Sequence, residues 1–183
     1  MEAPRRNVEL KAVDPRPGRT LERALGLGAR DEGCIVQRDT YFAAAHGRLK
    51  LREELPGGAH LIAYARPDEG PAVRVSEYRI AHVGEPAALR DALEAGLGVR
   101  VEVSKRRRLL LWRGVRIHLD EVDGLGSFLE LEAVAPGDSD LERERAQVAR
   151  LREILEISDD RLCDGSYADA LSRSRVPAAE GST

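Results

Sequence analysis

The sequence lacks the hydrophobic segments of a membrane or secreted protein. No uninterrupted apolar run approaches the roughly 18 residues that a membrane-spanning helix requires. The first six residues carry charges and a proline where a secretion signal needs an apolar stretch. These absences predict a cytoplasmic protein that has no membrane among its partners.

Cysteine and histidine are scarce, which argues against several classes of site. Cys34 and Cys163 have neither the number nor the spacing of a disulfide framework or a zinc site, so we expect both to be small buried thiols. No Ser–His–Asp or Cys–His arrangement is evident around the four histidines, which are His46, His60, His82 and His118. Hydrolysis through a serine or cysteine nucleophile is therefore disfavoured.

Lysine is also scarce, although the chain is rich in charge. Only three of the 29 basic residues are lysines, namely Lys11, Lys50 and Lys105. A compact ammonium group binds differently from a planar guanidinium, so these positions either have a specific role or reflect chance. The 32 acidic residues leave a net charge of -3, which predicts no general attraction to nucleic acid.

The 183 residues suit one compact domain with a short tail. We place the domain at residues 1–173 and a disordered tail at residues 174–183, because proline, glycine, serine and other small residues dominate the end of the chain. A domain of this size is compatible with a monomer or a homodimer.

Short segments of alternating apolar and polar residues dominate the domain, and turns with glycine or proline separate them. They predict strands at residues 5–13, 34–42, 48–54, 59–67, 73–80, 99–112, 115–123 and 127–135. Helical spacing predicts a helix capped by Thr20, others that begin at Pro86 and at Ser139 or Asp140, and a short one at residues 166–173. Because close spacing favours antiparallel hairpins, we predict an α+β fold: an eight-stranded antiparallel β-barrel with helices packed outside.

The alternation places charged side chains on one face of each strand and apolar side chains on the other. A sheet with one solvent-exposed face would show the same pattern in any single strand. It would not, however, separate the charges into basic strands and acidic strands. The shared face carries the bases Lys11, Arg48, Lys50, Arg52, Arg66, Arg74, Lys105 and Arg107 and the acids Glu9, Asp120, Glu130 and Glu132.

Such a lining predicts an anionic ligand. Unpaired bases around one cavity would repel one another at low dielectric unless a strongly anionic group balanced them. A polyphosphate fits, because arginine and lysine bind phosphate oxygens. Carboxylates grouped at one side would supply the hard oxygen ligands of Mg²⁺ or Mn²⁺, which bridge phosphates. The residues therefore predict a site for a metal-bound triphosphate.

Six segments resemble, in order along the chain, the motifs of the CYTH superfamily, the triphosphate tunnel metalloenzymes. Each motif alone is weak evidence, because alternating charge is common in strands, but six in the right order are strong. The match runs from about residue 7 to residue 171. The segments are residues 7–11 (E-x-E-x-K in the family), 37–42 (D-x-Y-F), 47–52 (R-x-K-x-R), 61–66 (the next basic strand), 105–107 (K-x-R) and 117–132 (I-x-L-D-x-V-x-x-L-G-x-F-x-E-x-E).

The resemblance implies an eight-stranded tunnel that the triphosphate of a small-molecule substrate enters, with Mg²⁺ or Mn²⁺ as cofactor. It implies that the metal ligands are Glu9, Asp120, Glu130 and Glu132. It implies that phosphates are held by Lys11, Arg48, Lys50, Arg52, Arg66, Lys105 and Arg107, with Arg74 in a loosely defined part of the pattern. The predicted catalytic residues are Lys11, Lys105 and Glu130.

One residue departs from the family pattern. Asn7 stands where many members have the first glutamate, which removes a negative charge but keeps a carbonyl oxygen as a potential ligand. We expect weaker binding of a second metal. The alternative is that Asn7 is a solvent-side residue at the start of its strand.

The lead hypothesis for the reaction is hydrolysis of an inorganic, thiamine or nucleoside triphosphate. A class IV adenylyl cyclase, which makes cyclic AMP and pyrophosphate from ATP, is the alternative. Cyclase members of the family tend to carry a His-Phe pair before the opening strand, which residues 1–6 lack, and this favours the triphosphatase. A third hypothesis is a non-catalytic module that binds a polyphosphate or nucleotide, since Asn7 weakens the acidic cluster and leaves the basic one intact.

Several other side chains near the predicted tunnel have two interpretations. His118 shares a face with Asp120, either as a hydrogen-bonded wall residue or as a proton-transfer group. Tyr167 and Asp169, in the last helix, are candidates to close one tunnel mouth. The run from Lys105 to Arg108 sends alternate residues inward and outward, so we do not interpret it as a nucleic-acid patch. Three strand tyrosines either pack in the core or orient the substrate: Tyr41, Tyr64 and Tyr78.

Overall fold

A computed structural model describes residues 5–65 and 73–174. The strands are β1 (Arg5–Val13), β2 (Arg30–Phe42), β3 (Arg48–Leu55), β4 (Gly58–Ala65), β5 (Val73–Val83), β6 (Val99–Trp112), β7 (Val115–Val122) and β8 (Gly126–Ala135). The helices are α1 (Pro17–Gly26), α2 (Pro86–Leu97), α3 (Glu142–Ile154) and α4 (Tyr167–Ser174), with a 3₁₀ turn at Asp159–Arg161. The predicted tail lies outside the described residues, apart from Ser174, which ends α4.

The strands close into a barrel in the order β1-β5-β4-β3-β2-β6-β7-β8, and β8 pairs with β1. Every neighbouring pair is antiparallel, which confirms the predicted α+β barrel. Strand β5 extends beyond its predicted end, to Val83, and strand β2 begins before its predicted start, at Arg30. Its first residues do not alternate in polarity, but they pair with the end of β6 across a register shift between Asp31 and Gly33. Tertiary pairing therefore overrides the local pattern.

Two helix starts differ from the sequence prediction. Thr20 is not a cap but a buried residue inside α1, because Pro17 already supplies the fixed φ that suits a first helical residue. Helix α3 begins at Glu142, slightly later than expected. Ser139 and Asp140 nevertheless accept hydrogen bonds from the backbone N–H groups of Leu141 and Glu142, both at 3.0 Å.

The main apolar core lies outside the barrel, between its wall and helices α1 and α3. The outward side chains of β1, β7 and β8 pack there against Val148 and Leu151 of α3, and Trp112 joins them. A smaller cluster, which includes Phe42 and Leu51, lies under α2. Because the apolar faces point outward to the helices, the polar faces of the same strands point into the barrel.

Helix α4 closes one end of the barrel. Tyr167 and Leu171 pack against inward-facing side chains of β6, β7 and β8, among them Val103 and Phe128. The ring of Phe128 meets the ring of Tyr167 edge-on, with 5.0 Å between the centroids. The predicted closure of one tunnel mouth by this helix therefore agrees with the packing.

The prediction of two buried thiols is wrong for Cys34, which is exposed, and Cys163 is half-buried. Cys34 points outward from a part of β2 whose neighbours on that face, such as Val36, are also exposed. Among residues 5–65 and 73–174, no helix has both the length and the hydrophobicity needed to span a bilayer.

Candidate active site inside the barrel

The inward faces of the strands enclose a cavity of about 450 Å³. Eight of the residues predicted from the sequence line it, and they are Glu9, Lys11, Lys50, Arg52, Lys105, Arg107, Glu130 and Glu132. Asp120 lies directly behind them and bonds to Arg107. Strand alternation thus predicted correctly which face these residues occupy.

On one wall, formed by β2 and β3, a buried carboxylate organises two bases. Asp39 accepts hydrogen bonds from Arg52 Nε at 2.7 Å and from Lys50 Nζ at 2.9 Å. Burial alone would raise the pKa of Asp39, but the charges of Arg52 and Lys50 hold it well below its usual range. Burial and the charge of Arg52 lower the pKa of Lys50 to about 8, against the opposing effect of Asp39.

On the facing wall, formed by β6, β7, β8 and β1, carboxylates again hold the bases. Arg107 donates to Asp120 Oδ1 at 2.6 Å and also to Glu130, while Lys11 Nζ lies 2.8 Å from Glu130 Oε1. Although burial opposes it, Lys11 and Arg107 hold the pKa of Glu130 well below its usual range. The bases are therefore paired with carboxylates, contrary to the expectation of unpaired bases.

Lys105 completes this wall at its most buried point. Its side chain is 3% exposed, and its Nζ lies 3.7 Å from Asp120 Oδ2. Burial and the charge of Arg107 lower the pKa of Lys105 to about 7, while Asp120 acts in the opposite direction. Lys105 therefore changes charge close to neutral pH, and an anion beside it would favour the charged form.

A third group of polar side chains lies around Glu132. Asn7 Nδ2 donates to Glu132 Oε1 at 2.5 Å, and Arg116 donates to Oε2 at 3.1 Å. His118 lies between Glu130 and Glu132, with its ring nitrogens 3.5 Å and 3.9 Å from their oxygens. Burial and the charge of Arg107 lower the pKa of His118, so we treat it as a neutral wall residue.

These oxygens have the chemistry of a Mg²⁺ or Mn²⁺ site. Glu9, Glu130 and Glu132 are carboxylates on the cavity wall, and Asn7 Oδ1 is buried without a hydrogen-bond partner among the described residues. An unpaired buried oxygen is costly unless a ligand meets it, so Asn7 is an interior residue suited to a cation. Among the described residues, however, no three His, Cys, Asp or Glu side chains are already placed together so that they could hold a metal ion.

Arg48 differs from the other predicted phosphate ligands. It points toward α4, where its Nη1 donates to Ser166 Oγ and to Asp169 Oδ2, both at 2.7 Å. Burial alone would raise the pKa of Asp169, but the backbone N–H of Ser166 and the guanidinium of Arg48 lower it to about 2. Arg48 therefore contacts α4 and the residue before it, and it is not among the residues that line the cavity. Arg66 and the side chain of Arg74 lie outside the described residues.

Sequence reasoning missed several wall residues. They are Gln37, Asp39, Glu54 and Arg116. Strand alternation indicates the inner face for three of them, since Gln37 and Asp39 lie on the same face of their strand as Tyr41, and Arg116 lies on the same face as His118. Tyr41, Tyr64 and Tyr78 also line the cavity. Outside the barrel, Arg106 pairs with Glu121 and Arg108 with Asp31, which confirms the outer pair of the basic run.

A family model for the CYTH domain matches residues 5–167. The chain belongs to the CYTH domain family. This CYTH chain is similar in fold to the Pyrococcus horikoshii protein PH1012, with a TM-score of 0.78 and 20% identity over 89% of this chain and 98% of that one. No match was found among curated protein sequences.

Two other similar structures bear functional names. A candidate adenylate cyclase from Vibrio parahaemolyticus has a TM-score of 0.71 and 20% identity, over 91% of this chain and 97% of that one. A candidate adenylyl cyclase from Hippeastrum, described as having a dominant triphosphatase activity, has a TM-score of 0.64 and 17% identity, over 93% of this chain and 95% of that one. At these identities the likeness shows the shared fold alone.

Proposed function

We propose that this CYTH protein is a divalent-metal-dependent triphosphatase that hydrolyses the terminal phosphate of a small-molecule triphosphate. The observation that carries the proposal is the pairing inside the barrel. Buried or half-buried lysines and arginines from opposite walls are held by carboxylates, as in the contacts of Arg52 with the buried Asp39 and of Lys11 with the half-buried Glu130. Burying such ion pairs carries a desolvation penalty. A polyphosphate that replaces the carboxylates as partner of the bases would offset that penalty.

The closed end supports reaction at the terminal phosphate. Because α4 blocks this end, a triphosphate that enters from the other end places its terminal phosphate deepest, beside Lys11 and Lys105. There the two ammonium groups and Arg107 would bind its oxygens and stabilise the charge that develops in the transition state. Phosphate binding would also release Asp120 and Glu130 from their basic partners.

The released carboxylates would then be available for a cation. Glu9, Asp120, Glu130 and Glu132, with the unpaired Oδ1 of Asn7, are the residues that would hold Mg²⁺ or Mn²⁺. When bound, such an ion neutralises phosphate charge and lowers the pKa of an attacking water. The oxygen of a water molecule would bond to the terminal phosphorus as the bond from that phosphorus to the bridging oxygen breaks. The products would be orthophosphate and the shortened phosphate chain, which keeps the bridging oxygen, and the proton lost by the water would pass to solvent. Lys11 and Lys105 would hold the phosphate chain in line for this attack.

A substrate panel tests the proposal. The protein is incubated with tripolyphosphate, thiamine triphosphate and ATP, each with Mg²⁺, with Mn²⁺ and with a chelator, and the products are identified. We expect orthophosphate from at least one substrate and none with the chelator. Cyclic AMP and pyrophosphate as the main products of ATP would establish the class IV cyclase instead. Tight binding without turnover under either metal would establish a non-catalytic binding module.

A further inference from the structure

Asp39 is the centre of one cavity wall, yet the proposed chemistry does not use it directly. The side chain is 2% exposed. Both of its oxygens accept hydrogen bonds from Arg52, at 2.7 Å from Nε and 2.8 Å from Nη2. Its Oδ2 also accepts a hydrogen bond from Lys50 at 2.9 Å. One buried carboxylate therefore holds both inward-facing bases in the middle of β3.

The strand register builds this arrangement. Asp39 of β2 lies directly opposite Arg52 of β3, and Lys50 lies two residues away on the same face of β3. Directly opposed and diagonal side chains on one face of a sheet are within contact distance. The carboxylate therefore reaches both bases without distorting either strand.

Without a carboxylate between them, the two bases would behave differently. Lysine and arginine have long side chains with several rotatable bonds, and fixing them costs conformational entropy. Two like charges in a buried site also repel one another. Arg52 and Lys50 would then adopt separate orientations, and a phosphate would have to order them on binding.

We propose that Asp39 is a positioning residue that holds Arg52 and Lys50 as one oriented pair of phosphate-binding cations. The inference rests on the proposed function only in that the ligand contains a chain of phosphates. Asp39 acts through the two bases and need not touch the substrate.

Asp39 also influences the protonation of Lys50. Burial and the charge of Arg52 lower the pKa of Lys50, and only Asp39 among its main influences raises it. Removing that negative charge should therefore make Lys50 lose its proton at a lower pH. The groups that face Lys50 are Asp39 and Tyr41 from β2, Arg52 from β3, Tyr64 from β4 and Arg107 from β6.

The scarcity of lysine makes a direct measurement practical. A protein labelled with ¹³C at the lysine ε-carbon gives three side-chain signals, from Lys11, Lys50 and Lys105. Substitution of each lysine by arginine assigns them, and a pH titration then reports the midpoint of Lys50 directly. The same samples give the affinity for inorganic tripolyphosphate by calorimetry.

Three variants separate charge, orientation and strand stability. Asp39→Asn removes the charge at nearly constant shape, and Asp39→Glu keeps the charge but moves it by one methylene. Glu53→Gln is the matched control. Glu53 pairs with Arg38 across the same two strands, one position along and on the outer face, with a shortest contact of 2.7 Å. Glu53→Gln therefore breaks an ion pair between the same two strands and leaves the residues that line the cavity unchanged.

We expect the midpoint of Lys50 in Asp39→Asn to fall by at least about one pH unit, and the affinity for tripolyphosphate near pH 8 to fall at least about tenfold. Asp39→Glu should leave the Lys50 midpoint close to that of the wild type and still weaken tripolyphosphate binding. Glu53→Gln should change neither quantity. If Asp39→Asn does not fold, Asp39→Glu still tests the orientation.

An unchanged Lys50 midpoint in Asp39→Asn, or wild-type tripolyphosphate affinity in Asp39→Glu, would overturn the inference. The titration requires no turnover. A protein that hydrolyses no triphosphate but shows the expected shifts would therefore refute the triphosphatase and leave the role of Asp39 intact.

Discussion

The ammonium nitrogen of Lys11 lies 3.7 Å from the centre of the Tyr167 ring, so a residue of α4 forms the floor beneath a base of the cavity wall. The ammonium of Lys105 lies 5.0 Å from the same ring. The Tyr167 hydroxyl donates to Asp120 at 3.0 Å. One side chain of α4 thus contacts three residues of the wall formed by β6, β7, β8 and β1.

Substitutions of Tyr167 should separate the effect of the ring from that of the hydroxyl. Tyr167→Leu removes the aromatic face under two ammonium groups, and we expect it to cost about 1 to 2 kcal/mol of folding free energy and to weaken triphosphate binding. Tyr167→Phe keeps the ring and should retain most of the affinity. Denaturant unfolding and calorimetry measure the two effects. Equal affinity in Tyr167→Leu and wild type would contradict the role of the ring.

The carboxylates of Glu130 and Asp120 should be essential for metal-dependent turnover. Glu130→Gln and Asp120→Asn keep side-chain shape but remove a charge that the proposed reaction needs, so we expect turnover to fall about 100-fold or more. Initial rates at a series of Mg²⁺ and Mn²⁺ concentrations test this. Glu121→Gln, on the outer face of β7, is the control and should behave as the wild type. Unchanged rates in both cavity variants would contradict the assignment.

The bases should contribute mainly to substrate affinity. Lys105→Ala and Arg52→Ala would each remove a proposed charge-assisted contact to phosphate. Such a contact is worth about 2 to 3 kcal/mol, so we expect KM to rise about 30- to 150-fold. Arg106→Ala removes a neighbouring base that points outward to Glu121 and provides the comparison. A KM in Lys105→Ala equal to that in Arg106→Ala would show that Lys105 does not bind the substrate.

Affinity for the triphosphate should fall as the pH rises above neutrality. The pKa of Lys105 is about 7 and that of Lys50 about 8, and in the proposed site both would bind phosphate in their protonated forms. Binding is therefore favoured below these values and weakens as the pH passes through them. Because a bound anion raises both pKa values, binding near neutral pH should also take up protons. Calorimetry in two buffers of different ionisation enthalpy measures the uptake, and its absence would contradict the prediction.

The contact between Arg48 and Asp169 should hold α4 in place. Asp169→Asn removes a half-buried ion pair, and after allowance for solvent screening we expect a loss of about 1 to 2 kcal/mol. The folded-state pKa of Asp169 lies near 2, below its ordinary value, so this stabilisation is present above about pH 4 and is lost as the pH falls toward 2. Hydrogen exchange of the α4 amides reports the loosening. Unchanged exchange would show that packing alone holds the helix.

Much of the site could be predicted because strand alternation assigns each side chain to a face. Lys50, Arg52 and Glu130 were placed on the inner wall by this rule, without any knowledge of the barrel. The rule cannot say which inward residues meet, since partners such as Lys11 and Glu130 are distant in sequence. The alternation also indicated the inner face for Asp39, but its importance depends on the bases opposite it, which the rule does not identify.

The sequence by itself determined the alternation of polar and apolar faces, the number of strands and the membership of the CYTH family, because these depend on residue order within each strand. Only the tertiary structure decided that Asp39 holds two bases, that Arg48 contacts Ser166 and Asp169 at α4, and that Tyr167 blocks one end. These contacts arise from barrel closure and helix docking, which bring together residues that no local periodicity connects.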